Sequence, residues 1–546
     1  VKAWLKAISR GASNDLLAMP WLVEDLLASC PNVSAGYVSS LSLNNLQIND
    51  EETLANDNGY KAWRESIESH STRPKIIFAT QTMLAVDVMF RLKDSRKDEQ
   101  ANDEINERLE KLKETGTSQD IAMELKTIYS ERGKESDGLF GDRVLYVDEA
   151  HLLEQNIANF FSNSLSLYTL NTLVSDAGGK GISELKNTFN EIVLLGKKAR
   201  LRGDTQVLGD SKEMRVLNRY LLSLKKSVGS LKDQHHFGYA TLNSAVNSLA
   251  AALKNSSGNR QIYINYSPSR HYPRITFGKS HLGNEFSVLW GAYQAAALVS
   301  ATLTVPEKKY DYVGQTLFIP DNRKAQSAAI ESSWLYTNMT LHLPKEPAPF
   351  LCRPSEGIPE DEWLLDLAQT IDMIAKQAQG GVLILFTSYE TINIVSNLIN
   401  SDTYRRVLIQ SPKQSFNKLE TAFREQERPV WFATGSAWTG LDLCSDDNPT
   451  LLTDLVIPTI PFGMNRTTSY IRRIGRLGYH NVAPYEAAIS LKQGIGRAKR
   501  QDDEQQRHLW ILDNRAIAGK LATGKHYIIP FKTLAPYKKR MYFTKN

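Results

Sequence analysis

The sequence predicts an α/β protein built on parallel sheets. Three observations lead there. Apolar strand-like runs alternate with amphipathic helical ones through the C-terminal third, and two earlier segments read as strand, loop and helix. At 546 residues the chain also exceeds the roughly 250 to 300 at which a single hydrophobic core stops growing, so two or more domains are expected.

Taken in order, Lys75-Ile76-Ile77-Phe78-Ala79 has the composition of a buried strand, Thr80-Gln81-Thr82 is a polar loop, and Met83 to Leu92 is a helix. Residues 93–137 are dense in charge, with Ile105, Leu109 and Leu112 at helical spacing, and predict an exposed helical insertion. A second strand, Val144-Leu145-Tyr146-Val147, runs into Asp148-Glu149-Ala150-His151. From Gln155 to about Asn259 the pattern is mostly helical and rich in Leu, Ser and Lys, as in an inserted helical domain. Strand-like pieces resume at Gln261 to Tyr266, Arg274 to Phe277 and Ala295 to Val299. Beyond them Leu364, Leu367, Ile371 and Ile374 share a helix face, Gly380-Gly381 stops that helix, and Val382 to Phe386 is a strand. A helix with Ile392, Val395 and Leu398 comes next, then strands near Val407 to Ile409, Val430 to Ala433, Asp454 to Ile457 and Leu509 to Leu512.

Composition bounds the function without naming it. Hydrophobic content of 42% with 23% charged residues is that of an ordinary globular chain, not of a disordered one. A net charge of +5 neither demands nor excludes a phosphate-bearing partner. The local basic clusters, Lys197, Lys198, Arg200 and Arg202, then Arg466, Arg472, Arg473 and Arg476, then a basic tail at Lys538, Lys539 and Arg540, read singly as solvated faces. The three cysteines, Cys30, Cys352 and Cys444, are too far apart in sequence to suggest a metal clip, which suits a reducing cytoplasm. The most apolar stretch, Ala295 to Val305, falls well short of the roughly 20 residues that span a bilayer.

The chemistry concentrates where strands end. An Asp at the carboxyl end of a buried strand is the position from which nucleotide hydrolases hold Mg²⁺, because the ion bridges phosphate oxygens and takes hard oxygen ligands. A carboxylate beside it can polarise an attacking water. The pair Asp148-Glu149 also suits a helix N-terminus, which favours acids. Four segments downstream, by their order along the chain, decide between these readings: Ser300-Ala301-Thr302-Leu303-Thr304, Phe386-Thr387-Ser388-Tyr389, Thr434-Gly435-Ser436-Ala437-Trp438-Thr439-Gly440-Leu441-Asp442, and Gln493-Gly494-Ile495-Gly496-Arg497-Ala498-Lys499-Arg500. Each alone has a plain structural alternative, but the series resembles motifs II (here a DEAH box) to VI of superfamily 2 helicases, in the DinG/XPD form.

The resemblance implies two RecA-like parallel-sheet motor domains, with a mostly helical arch-like insertion and a further small N-terminal insertion in the first. Mapped onto this chain it gives a substitute or vestigial cluster-type domain over 1–72, part of the first motor over 73–154, the arch-like insertion over 155–260, a return to the first motor over 261–305, and the second motor over 306–546 with its basic tail. It implies ATP and Mg²⁺ as cofactors and an ATP-dependent 5′–3′ DNA helicase and single-stranded DNA translocase as the activity. Asp148 would bind Mg²⁺ and Glu149 would be the catalytic base. His151, with Gly440 and Asp442, would lie at the nucleotide, and Ser300 and Thr302 would couple its state to domain movement. Gln493 would orient phosphate or water, and Arg497 and Arg500 would reach the γ-phosphate. Thr80, Gln81, Thr387, Ser388, Thr434 and Ser436 would bond the DNA backbone, and Trp438 would pack beneath them or stack on a base.

The sequence departs from the family in three places. No phosphate-binding loop of the form Gly, four residues, Gly-Lys-Ser/Thr occurs in it. Gly278-Lys279-Ser280 has Pro273 at the first glycine position, and the Gly519 to Lys525 stretch ends in His526 and lies beyond motif VI. The expectation is that the loop lies upstream of Val1; the alternative is a non-hydrolysing nucleic-acid-binding scaffold. Ahead of the strand at 75–79 only Cys30 stands where many relatives place four cysteines, so no iron–sulfur cluster is expected. Thr439 replaces the Glu that usually precedes the motif V glycine. Relatives linked to CRISPR type IV systems also lack the cluster cysteines and keep an arch-like insertion, which implies a CRISPR ribonucleoprotein partner; a DinG-type repair helicase and an RNA helicase remain alternatives.

Overall fold

The computed structural model describes residues 35–38, 76–94, 107–112, 116–136, 138–140, 143–195, 205–231, 239–254, 260–265, 273–303, 311–323, 336–345, 360–411, 414–441, 443, 451–462, 467–499, 504–513, 516 and 530–543. The expectations for Cys30, Cys352, Cys444, Thr304, Asp442 and Arg500, for the Lys197 to Arg202 cluster and for nearly all of 1–72 lie outside these residues. Two compact units divide the chain: one of Val1–Asn163, His281–Ser300 and Leu317–Asp321, the other of the remainder.

In the first unit, strand Ile76–Ala79 pairs in parallel with Ala35–Val38 and leads through Thr80 into helix Gln81–Asp94. Strand Val144–Val147 pairs in parallel with Ala295–Leu298, Val147 opposite Leu298. Parallel strands are usually buried on both faces, yet Val144 and Tyr146 stand 72% and 66% exposed; this sheet has only two strands among the described residues. Helices Ser118–Glu135 and Gly283–Ala292 cross almost backbone to backbone. Glycine is required on both sides of that crossing, because a Cβ at Gly133 would land on the Val288 carbonyl and one at Gly291 on that of Ser130. A buried ion pair locks the helices: Arg91 Nε donates to Asp87 Oδ2 at 2.9 Å, and Arg91 Nη1 donates to the carbonyls of Gly133 and Ser136. Asp87 also accepts the Leu139 amide and the Tyr293 hydroxyl, so neither buried charge is left uncompensated.

The second unit holds two sheets. Strands Asn163–Ser166, Arg274–Lys279, Arg260–Asn265 and Thr205–Leu208 form a four-stranded sheet in that spatial order. Arg260–Asn265 runs antiparallel to both of its neighbours. This corrects the expectation that the first motor sheet resumes at 261. The 260–279 strands belong with the helical segment because Ile262, Ile264, Ile275 and Phe277 share a core with Leu170, Leu185, Phe189, Leu217 and Leu224 of its helices; pairing with the first parallel sheet returns at Ala295. Helix Ser211–Gly229 begins in a capping box, Asp210 accepting the Glu213 amide and Glu213 the Asp210 amide.

Seven parallel strands make the larger sheet, ordered Val407–Ile409, Val430–Ala433, Gly381–Leu385, Leu452–Ile457, Arg507–Ile511, Met339–Pro344 and Arg540–Phe543. Its side chains alternate between two cores, as the strand period of two requires. Val382, Ile384, Val430 and Phe432 face helices Glu360–Gln377 and Tyr389–Leu398 through Leu367, Ile371, Ile392 and Val395. Leu383, Leu385, Trp431 and Leu455 face Phe423, Trp438 and Leu491. One basic cluster differs from the solvated face expected of it. Arg472 and Arg473 are buried, Arg473 paired with Glu486 and Arg472 bonded to Ser469 Oγ at 2.8 Å. Lys538, Lys539 and Arg540 are exposed, as expected, and run into the sheet's edge strand, where Arg540 Nε donates to the Tyr537 carbonyl at 2.9 Å.

Candidate functional site

In the first unit the sheet presents an acidic turn at its carboxyl end. Two bonds extend the strand ladder past the strands themselves, Val299 N to Val147 O at 2.9 Å and Ala150 N to Val299 O at 3.0 Å. Asp148 and Glu149 therefore bulge outward between anchored neighbours. Glu149 adopts φ 48°, ψ 45°, the left-handed region that L-residues rarely occupy. The Asp148 carboxylate caps the turn by accepting the Glu149 amide at 2.9 Å.

Three of the expected site residues converge here. The Ser300 hydroxyl donates to Glu149 Oε2 at 2.9 Å, and His151 Nδ1 lies 2.8 Å from Ser300 Oγ and 3.2 Å from Glu149 Oε2. A hydroxyl has one proton, so once Ser300 gives it to Glu149 the consistent arrangement has His151 donating from Nδ1. Thr302 is buried at 2% exposure. Asp148 and Glu149 are both exposed, and the described residues contain no group of three or more His, Cys, Asp and Glu able to enclose a metal. An exposed strand-end carboxylate such as that of Asp148 fits Mg²⁺, which takes one or two carboxylates and completes its shell with water and phosphate oxygens.

Thr80 and Gln81 divide their work. Thr80 Oγ1 accepts the Met83 amide at 3.3 Å as a helix cap. Gln81 turns toward the acidic turn, donating through Nε2 to the Asp148 carbonyl at 2.7 Å and the Glu149 carbonyl at 3.3 Å. Its Oε1 accepts from Asn156 Nδ2 at 2.8 Å. The sequence expectation gave Gln81 to DNA and said nothing of Asn156.

In the second unit, hydroxyls gather at the carboxyl ends of the large sheet's central strands, where open α/β sheets bind ligands. Thr387 Oγ1 lies 3.4 Å from Thr459 Oγ1. Ser388 caps the Tyr389–Leu398 helix by accepting the Thr391 amide at 3.1 Å. Thr434 is buried, its amide donating 2.8 Å to Gln410 Oε1, whereas Ser436 and Gly440 are exposed. Gln410 went unnoticed in the sequence; its only signal was its place just past a strand. Trp438 is fully buried and donates from its indole N–H to the Phe386 carbonyl at 2.9 Å, so it presents no face to a base and its DNA-binding assignment is corrected to core. Arg497 is also nearly buried, with Nη1 donating to Leu441 O at 2.6 Å and Nε to Gln493 O at 3.1 Å.

Parallel α/β sheets with an acidic turn at one strand end and hydroxyls at others form the arrangement in which open α/β folds bind ligands, RecA-like folds among them. The helicase C-terminal domain family matches residues 371–523. The 3'-5' exonuclease DinG of Bacillus subtilis (strain 168) is 27% identical over 232 residues, 40% of this chain and 24% of that protein. The ATP-dependent DNA helicase XPD of Sulfolobus acidocaldarius is 23% identical over 394 residues, 68% of this chain and 65% of that protein. This chain therefore spans less than two thirds of either relative. A solved structure titled XPD_Helicase has a TM-score of 0.50 at 16% identity, covering 89% of this chain and 75% of its own, a likeness of fold. By these comparisons the chain is similar to helicases of the DinG/XPD type. Among the described residues no helix is long and apolar enough to cross a membrane.

Proposed function

We propose that this chain is the motor of an ATP-dependent DNA helicase that translocates 5′ to 3′ on single-stranded DNA. The observation that carries the reading is the convergence of Glu149, Ser300 and His151 at the acidic turn, with relatives named as ATP-dependent DNA helicases in support. Asp148 would hold Mg²⁺, whose charge, when bound, offsets that of the phosphates. Glu149 would accept the proton of the attacking water, from a carboxylate oriented by Ser300 and His151. Gln493, Arg497 and Arg500 would act on the phosphates, and Thr80, Thr387, Ser388, Thr434 and Ser436 would contact the DNA backbone, which carries no sequence information. For Arg497 this requires release from its two carbonyls.

We further propose that it acts beside a CRISPR type IV ribonucleoprotein that opens DNA for it, in interference against plasmids. This part rests on the arch-like insertion and on the sparse cysteines before residue 352. The test of the activity is DNA-stimulated ATP hydrolysis by the full-length protein; no stimulation by single-stranded DNA refutes it. Duplexes with a 5′ or a 3′ single-stranded tail test direction, and preferential unwinding from the 3′ tail overturns the polarity. Deleting the gene from a host with a type IV array tests the setting. Unchanged plasmid interference would remove that role and leave the helicase reading intact.

A further inference from the structure

Outside the Glu149, Ser300 and His151 group, one side chain grips both exposed peptides of the acidic turn. Gln81 donates to the carbonyls of Asp148 and Glu149, and its own carbonyl is held by Asn156 on helix Leu153–Phe160. All of these residues belong to the first unit. The direction of donation matters, because the turn offers only acceptors and Gln81 can meet them only with its NH₂ end. Asn156, by donating to Oε1, keeps that end facing the turn. The conformation being held is the left-handed one at Glu149, φ 48°, ψ 45°, which the surrounding structure must impose. Those two peptide planes set where the Glu149 carboxylate points.

We propose that Gln81 and Asn156 form a polar relay that aims Glu149, making them positioning residues for the hydrolysis proposed above, on which the kinetic part of this inference rests. The relay starts at Gln81, next to Thr80, so the segment read as a DNA contact is hydrogen-bonded to the turn that carries Glu149.

The experiment compares Gln81→Leu, Gln81→Glu, Asn156→Ala and Asn156→Asp in the full-length protein. Gln81→Glu keeps the side chain's length and cannot donate to the turn, which guards against a Leu variant that fails to fold. Asn156→Asp is isosteric but only accepts, so it draws the Gln81 NH₂ away and turns Oε1 onto the Asp148 carbonyl; Asn156→Ala leaves the NH₂ in place. Asn156→Asp must therefore be worse than Asn156→Ala, and the difference must vanish when Gln81 is Leu. A packing role predicts the reverse order.

Two readouts separate the claims. Hydrogen exchange at the Ala150 amide, which donates to Val299, reports the turn without any turnover; it should quicken in both Gln81 variants and more in Asn156→Asp than in Asn156→Ala. Steady-state ATPase should show kcat lowered about tenfold in the Gln81 variants with KM for ATP within about twofold, the signature of an interaction lost in the transition state. Unchanged exchange, or Asn156→Ala the more damaging, overturns the relay whether or not the protein hydrolyses ATP. Exchange that matches the prediction in a wild-type protein without ATPase activity upholds the relay and refutes the functional reading alone.

Discussion

Substituting Gly494 by Ala tests how tightly the motif V and motif VI segments are fitted. A Cβ there would lie 2.6 Å from Cε3 and 2.8 Å from Cζ3 of Trp438, and 3.1 Å from Leu385 Cδ1. Trp438 cannot yield, since it is fully buried and pinned by its bond to the Phe386 carbonyl. Overpacking a core costs about 1 to 3 kcal/mol, and contacts this short with a rigid ring belong near the top of that range. The better helix propensity of Ala returns somewhat less than about 1 kcal/mol at this last turn, leaving a net loss of about 2 kcal/mol. Trp438→Phe removes the indole partner of Phe386 and the ring edge that Gly494 approaches, itself costing about 2 to 3 kcal/mol. In that background the added methyl has room, and the cost of Gly494→Ala should fall to about zero, a coupling of about 2 kcal/mol, as residues in contact show. Urea unfolding monitored by far-ultraviolet circular dichroism over the double-mutant cycle measures it. An equal cost of Gly494→Ala in both backgrounds would refute the reasoning. Since Gln493 adjoins Gly494, the single substitution should also depress ATPase activity.

Glu149→Gln retains the shape beside Ser300 and His151 but loses the base, so turnover should fall by roughly 10² or more while nucleotide binding persists; near-normal turnover would sink the assignment. Arg497→Ala should lower both ATPase rate and melting temperature, because it leaves the Leu441 carbonyl without its buried donor, at about 1 to 3 kcal/mol. A loss of rate with unchanged melting would mean that these carbonyl bonds do not support the fold. Burial, with His508 and Lys539 nearby, depresses His342 from 6.5 to about 4. The unfolded chain then takes up a proton that the folded one refuses, so His342 makes stability fall as pH drops from about 6.5 to about 4. Asp454, raised chiefly by burial, acts oppositely, its contribution to stability being lost as pH rises above the ordinary carboxylate value. His342→Phe should flatten melting temperature across the His342 window, as measured by calorimetry; an unchanged slope would exclude His342 as its source.

Much of the fold was written in periodicity. The runs at 382–386, 407–409 and 430–433 are apolar at every position because their strands are covered on both faces, and the helix face of Leu364, Leu367, Ile371 and Ile374 lies in the core as its spacing requires. The acidic turn was also legible, because strand-end carboxylates have a local signature. Strands Met339–Pro344 and Arg540–Phe543 escaped notice, since Thr340 and His342 interrupt one and basic residues lead into the other; partners across the sheet make them strands. For the same reason the 260–279 strands could be recognised but not assigned to a sheet, because pairing is a long-range choice that a local pattern does not encode. Arg472 and Arg473 read as surface until Ser469 and Glu486 were seen to receive them. The sequence by itself determined where the acidic turn and the strand-end hydroxyls fall and along which strands they lie. Only the tertiary structure decided that Trp438 serves the core and that Gln81, with Asn156, holds the acidic turn. Hydrogen bonds between residues 67 and 75 positions apart are set by how helices and strands pack, and no spacing along the chain records them.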